Sequence, residues 1–143
     1  MAALQKVAVV TGAGTGIGKA VALSLMKEGY ATVFAGRRKD KLEEAASEGK
    51  SSGAKSLVVP TDVSDPAAIK ALFAKTKETF GRLDVLFNNA GIGAPAVPLE
   101  DLPYETWKQV VDTNRMRAFL GYRSIIDHQH GIAAADEPVC LHK

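Results

Sequence analysis

The sequence has one cysteine, few aromatic residues, no long block of like charge and no apolar run near membrane length. Each shortage excludes something. Cys140 has no cysteine to pair with inside the chain, which fits a reducing compartment. No stretch approaches the roughly 20 apolar residues of a membrane-spanning helix. The run Val7 to Val10 is too short for the apolar part of a secretion signal and has no cleavage site behind it, so a cytoplasmic location is expected. Lysine and arginine number 18 against 16 acidic residues, and the basic run Arg37-Arg38-Lys39 is short, so no partner surface for nucleic acid or membrane is expected. His128, His130 and His142 lie near Cys140 in sequence, but no framework of zinc-site spacing surrounds them, and no metal is expected.

What is present suits one soluble domain. The chain has 143 residues, 46% of them apolar and 24% charged, enough for a single core but not two. Its organising stretch is Thr11-Gly12-Ala13-Gly14-Thr15-Gly16-Ile17-Gly18, fed by the apolar run Val7 to Val10 and followed by a helical pattern from Ile17 to Lys27. Strand, glycine turn, helix is the reading. The glycines let the backbone turn sharply and approach a ligand, and the first amides of the helix converge on a point that favours a phosphate. The spacing meets the common dinucleotide fingerprint only loosely, so a bare turn without a ligand stays open at this point.

The rest alternates between strands and helices. Ile17, Ala20, Val21, Ser24 and Leu25 are expected to face inward from the first helix, which Gly29 ends. Ala31 to Ala35 is a second strand running into Gly36-Arg37-Arg38. In dinucleotide folds an acidic residue there would hold a ribose 2′-hydroxyl, whereas a small residue followed by arginine leaves room for a 2′-phosphate and supplies donors, so NADP is preferred over NAD. The alternative is a pair of solvated arginines at a helix approach. Asp40 and Glu43 have capping-box spacing for the next helix, with Leu42, Ala45 and Ala46 inward. Ser56 to Val59, closed by Pro60, is a third strand, and Asp65-Pro66 starts a helix carrying Ile69, Leu72, Phe73, Thr76 and Phe80 inward to Gly81. Leu83 to Phe87 is a fourth strand. After a proline-containing loop, Trp107, Val110, Val111, Asn114, Ala118, Tyr122 and Ile125 form one helical stripe, so Asn114 is expected to be buried.

The glycine turn, Asp62-Val63 after the third strand and Asn88-Asn89-Ala90-Gly91 after the fourth together resemble the short-chain dehydrogenase/reductase family in order and spacing. The resemblance runs from about residue 6 to 114, at most to 120, and then fades. It implies NAD(P)-dependent interconversion of alcohols and carbonyls by hydride transfer. It implies cofactor contacts at Thr11, Gly12, Gly14, Thr15, Gly16, Ile17, Gly18, Arg37, Arg38, Asp62, Val63, Asn89, Ala90 and Gly91, with Asp62 on the adenine amine and Val63 against the ring. Asn114 falls at the asparagine of the family's catalytic group, though a merely structural asparagine is an equal reading. Asp62 could likewise be a turn residue.

The family also needs a serine, a tyrosine and a lysine four residues after the tyrosine, all beyond the asparagine. Hydride transfer moves a proton at the same oxygen, so a tuned proton donor must sit beside it. None is found in place. Tyr104-Glu-Thr-Trp-Lys108 has the spacing but precedes Asn114 and reads as an ordinary helix start.

The expected fold is α/β, a partial doubly wound parallel sheet in strand order 3-2-1-4 with helices on both faces. Residues 1–120 form an incomplete Rossmann-like dinucleotide-binding domain, and 121–143 a divergent, irregular tail without a further strand. That would leave the fourth strand as an edge and favour marginal stability or self-association. The expectation is a truncated family member that binds NADP(H) without turnover. It would act on a small carbonyl or alcohol substrate only if completed. Its alternatives are a nonenzymatic partner of a full-length relative, or an enzyme completed by Tyr104 or Tyr122 with an imidazole.

Overall fold

The structure, a computed structural model, describes residues 5–112, 114, 115 and 139–142. Strands β1 (Val7–Thr11), β2 (Ala31–Gly36), β3 (Ser56–Pro60), β4 (Val85–Asn88) and β5 (Val139–His142) form one sheet in the order β3-β2-β1-β4-β5. All four pairings are parallel, with Val9 opposite Val33 on one side and Leu86 on the other. Because β1 is flanked by β2 and β4, the direction of winding reverses beside it. In such sheets a crevice opens at the carboxyl ends of the strands at that reversal.

Both sheet faces are covered, which explains why β1 and β2 read as continuous apolar runs. On one face α3 (Pro66–Phe80) sets Ile69, Leu72 and Phe73 against Val7, Val9, Val33 and Leu86. On the other, α1 (Gly16–Lys27) and α2 (Lys39–Glu48) set Ala22, Met26, Leu42 and Ala45 against Val10 and Phe34. The α3 boundaries follow local rules: the Asp65 carboxylate accepts from the Ala67 amide at 2.9 Å, Pro66 opens the helix, and Gly81 closes it at φ 74°.

Four expectations are corrected. The buried residues of α1 are Gly18, Ala22 and Met26, while Ile17, Ala20 and Ser24 are exposed. The helix lies so close to the sheet that only small residues fit its first turns, and size overrides the apolar periodicity. Arg38, not Asp40, occupies the N-cap of α2, and no side chain caps it; Asp40 lies inside the first turn. Helical residues 104–112 and 114–115 make α4, and Trp107, Val111 and Asn114 on its expected inner stripe are exposed.

The fourth correction is β5. Residues 139–142 pair with β4 from Val85 opposite Val139 to Asn88 opposite His142. Only Val139-Cys140-Leu141 is apolar there, too short a run to signal a strand, but the free edge of β4 supplies the hydrogen-bonding template. The anticipated edge at β4 is therefore covered. Ala118, Tyr122 and Ile125 of the stripe, like the rest of the tail from 121 to 138, lie outside the described residues. Among the described residues no helix is long and apolar enough to cross a membrane.

Candidate functional site

A cleft of about 580 Å³ lies at the carboxyl ends of β1 to β4. Its floor is the turn from β1 into α1. Thr11 ends the strand with its hydroxyl oxygen accepting from the amides of Asn89 and Ala90, both at 3.0 Å, which fastens the turn after β4 to the turn after β1. Gly12 then takes φ 65°, and an added Cβ would stand 2.9 Å from Asn89 Nδ2. Thr15 is the extended N-cap of α1 and makes no side-chain cap, so the first-turn amides at residues 16–18 have neither an intrahelical nor a Thr15 acceptor. Gly18 is buried beneath them, and a Cβ there would run into the Gly12 carbonyl.

The second wall comes from the ends of β2 and β3. Gly36, Arg37, Arg38, Lys41 and Leu42 line it, and a Cβ on Gly14 would meet the Lys41 side chain at 3.1 Å. Lys41 bonds Glu44 at 2.9 Å and holds that carboxyl below its usual range, while Arg38 is 3.9 Å from Asp40. Both pairs are exposed and worth little. Among the described residues Arg37 forms no ion pair. The Thr61 amide donates to Gly36 O at 2.6 Å, holding the β2 and β3 ends together, and Asp62, Val63 and Ser64 follow it into the cleft.

The third wall is Asn89-Ala90-Gly91-Ile92. Asn89 Nδ2 donates to Gly12 O at 3.4 Å, whereas its Oδ1 is buried without a partner among the described residues. Asn114 is exposed instead of buried, and its amide bonds both backbone groups of Ile92, accepting at 3.2 Å and donating at 3.1 Å. An apolar stripe did not claim it; a loop backbone did.

Of the residues singled out from the sequence, Gly12, Gly14, Thr15, Ile17, Arg37, Arg38, Asp62, Val63, Asn89, Ala90 and Gly91 line this cleft. Thr11, Gly16 and Gly18 do not; Thr11 and Gly18 hold it up from beneath, and Gly16 starts the helix at φ 57°. Lys41, Thr61, Ser64 and Gln109 line it without having been singled out. Tyr104 and Lys108 are not among the lining residues: Tyr104 stacks on Trp107 with centroids 5.9 Å apart, and Lys108 bonds Asp112 at 2.6 Å, which raises the lysine pKa and lowers that of the aspartate. Tyr122, His128 and His130 lie outside the described residues. Among the described residues no group of three histidine, cysteine or acidic side chains is placed to hold a metal.

Comparison with known proteins adds three similarities. The chain is 40% identical over 115 residues to a 3beta-hydroxysteroid dehydrogenase of Mediterraneibacter gnavus, covering 80% of this chain and 42% of that protein. It superposes on an alcohol dehydrogenase from the archaeon Thermococcus sibiricus, complexed with 5-hydroxy-NADP, with a TM-score of 0.80 and 34% identity over 87% of this chain and 53% of the other. It superposes on an NAD+-bound xylitol dehydrogenase with a TM-score of 0.82 and 30% identity, covering 90% and 50%. The chain spans less than half the length of the curated relatives it matches. The family model for short chain dehydrogenases matches residues 6–133, further than the motif resemblance reaches, and with the sheet order and the cleft it establishes that this chain belongs to the short chain dehydrogenase family.

Proposed function

We propose that this chain binds a nicotinamide dinucleotide, NADP(H) in preference to NAD(H), across the cleft. The observation that carries the reading is the convergence of the uncapped α1 amides, the Arg37 side chain and Asp62 on one cleft at the strand ends. The pyrophosphate lies at the first turn of α1, where Gly12 and Gly14 admit it and the amides donate to it. Arg37 takes the 2′-phosphate, with Arg38 and Lys41 beside it and no carboxylate at Gly36 to repel it. Asp62 accepts from the adenine amine and Val63 packs on the ring. Ala90 and Gly91 let the far ribose lie against the turn after β4, and Asn114 fixes that turn through Ile92.

The residues fit the group by their own geometry. A Cβ at Gly14 would press on Lys41 and one at Gly36 would stand 3.3 Å from Leu42, so the two glycines keep the wall beside the phosphates open. The bound nicotinamide supplies hydride transfer between an alcohol and a carbonyl. Proton transfer requires a donor at the reacting oxygen, and Tyr104 and Lys108 do not meet that need from an exposed helix start. The proposal is therefore cofactor binding, with no turnover through Tyr104 and Lys108. The similar solved proteins hold 5-hydroxy-NADP in one case and NAD+ in another, so the preference rests on Gly36 and Arg37.

The test is a titration with NADPH and NADH, following nucleotide fluorescence and thermal stability, beside a panel of carbonyl substrates. Saturable binding with a raised melting temperature and tighter NADPH than NADH supports the reading. Steady NADPH oxidation with a carbonyl that depends on Tyr104 or Lys108 refutes the absence of turnover through them, and no binding refutes the rest. Exposed Leu99, Tyr104, Trp107 and Val111 favour a second reading, pairing with a longer relative or a second copy. Co-purification with such a partner would support it, and monodisperse monomers would count against it.

A further inference from the structure

Asp62 does not stand alone at the end of β3. Its Oδ1 accepts twice from Ser64, from the backbone amide at 2.9 Å and from the hydroxyl at 2.6 Å, and both residues line the cleft. The turn holding them is itself fixed, because the Thr61 amide donates to Gly36 O at 2.6 Å and the Asp65 amide to Asp62 O at 3.1 Å. A carboxylate has about four acceptor positions, and two donors on one oxygen orient the group. Two bonds to one oxygen stop the carboxylate from swinging about its Cβ–Cγ bond. What they fix is the direction of its other oxygen.

We infer that Ser64 is a positioning residue for base recognition: its hydroxyl aims the Asp62 carboxylate so that the site selects a nucleobase carrying an exocyclic amine over one carrying a carbonyl there. The inference rests on the reading of this cleft as a dinucleotide site with the base beside Asp62. An adenine presents a donor to the carboxylate. A hypoxanthine presents a carbonyl oxygen in that place, which gives the carboxylate no proton to accept, so the bond made to the amine is lost. Asp62 and Ser64 are exposed in the free chain, so the selectivity develops only as the base covers them. Without the hydroxyl the amide bond remains, but the charged bond at 2.6 Å is lost and the carboxylate samples directions useless to the amine.

The experiment compares NADPH with reduced nicotinamide hypoxanthine dinucleotide phosphate, which differ at C6, an amine against a carbonyl, and at the adjoining N1, a bare nitrogen against an N–H, by fluorescence titration of the parent chain, S64A, S64T, D62A and the double variant. The parent is expected to prefer the adenine cofactor by about tenfold or more, since the poorer base offers no amine to the carboxylate. S64A is expected to weaken NADPH by about three- to tenfold while changing the hypoxanthine cofactor less than about twofold, and S64T is expected to restore the parent ratio. In the D62A background the S64A change is expected to have no further effect on the ratio. A merely structural serine would weaken both cofactors alike, and that result, or an unchanged ratio in S64A, overturns the inference while leaving dinucleotide binding intact. If the parent binds neither cofactor, the dinucleotide reading itself falls and this inference with it.

Discussion

Replacing Thr11 by valine tests whether the cleft is held open from below. Valine keeps the shape of threonine and removes only the hydroxyl, and the side chain sits at 6% exposure, so packing changes little. What is lost is one oxygen accepting from two amides, those of Asn89 and Ala90, each at 3.0 Å. Its longer bond to Phe87 O, at 3.4 Å, adds little. The Ala90 amide is left without an acceptor, at about 1 to 1.5 kcal/mol, while the Asn89 amide keeps its 3.1 Å bond to Phe87 O and loses about 0.5 kcal/mol, so the total is about 1.5 to 2 kcal/mol. For a domain of this size that corresponds to a fall in melting temperature of roughly 4 to 8 °C. Thr11→Ser keeps the acceptor and loses a buried methyl, about 1 kcal/mol. The assay is paired thermal and urea unfolding of the three proteins, with NADPH affinity measured beside it. Valine melting within about 2 °C of the parent, or no worse than serine, would refute the strut. It would also detach the two turns energetically, since no other side chain among the described residues bonds the amides of both Asn89 and Ala90.

Arg37→Glu is expected to weaken NADPH by about 30-fold in a titration while leaving NADH within a few-fold, because a carboxylate would face the 2′-phosphate. Gly18→Ala drives a methyl into the Gly12 carbonyl and to within 2.6 Å of Asn89 Nδ2. It is expected to cost about 3 kcal/mol in urea unfolding and to abolish measurable NADPH binding. Asn114→Ala removes both bonds to Ile92, and faster hydrogen exchange of the Ile92 amide is expected with a stability loss of about 1 kcal/mol. The Asp112 pKa is lowered by Lys108, so its contribution is present above the unfolded pKa and lost as pH falls through the lower folded value. Lys108 is raised, so its contribution is lost only as pH rises through its folded value. Asp112→Asn should therefore leave the melting profile between about pH 5 and 9 flat, with no new midpoint in that range.

How much could be read in advance depends on how far each signal reaches along the chain. The capped helix α3 and the β1-turn-α1 unit were legible because cap, proline, glycine and apolar period lie within a few residues of one another. The inner face of α1 was not, because Gly18 is buried for want of a side chain, and periodicity weighs side chains. Asn114 was assigned inward for the same reason, although its partner is a backbone 22 residues away. The site divides along this line. Thr11, the glycines and Asp62 mark strand ends and could be found one strand at a time, whereas Lys41, Ser64 and Gln109 reach the cleft only because β3, β2, β1 and β4 stand in that order. The strand β5 is the extreme case. Nothing within Val139-Cys140-Leu141-His142 outweighs other short apolar segments as a strand; the open amides and carbonyls of β4 select it. A strand chosen by its neighbour implies that weakening β4 should cost pairing at β5 before it costs pairing at β2, whose own apolar run and two partners hold it in the sheet.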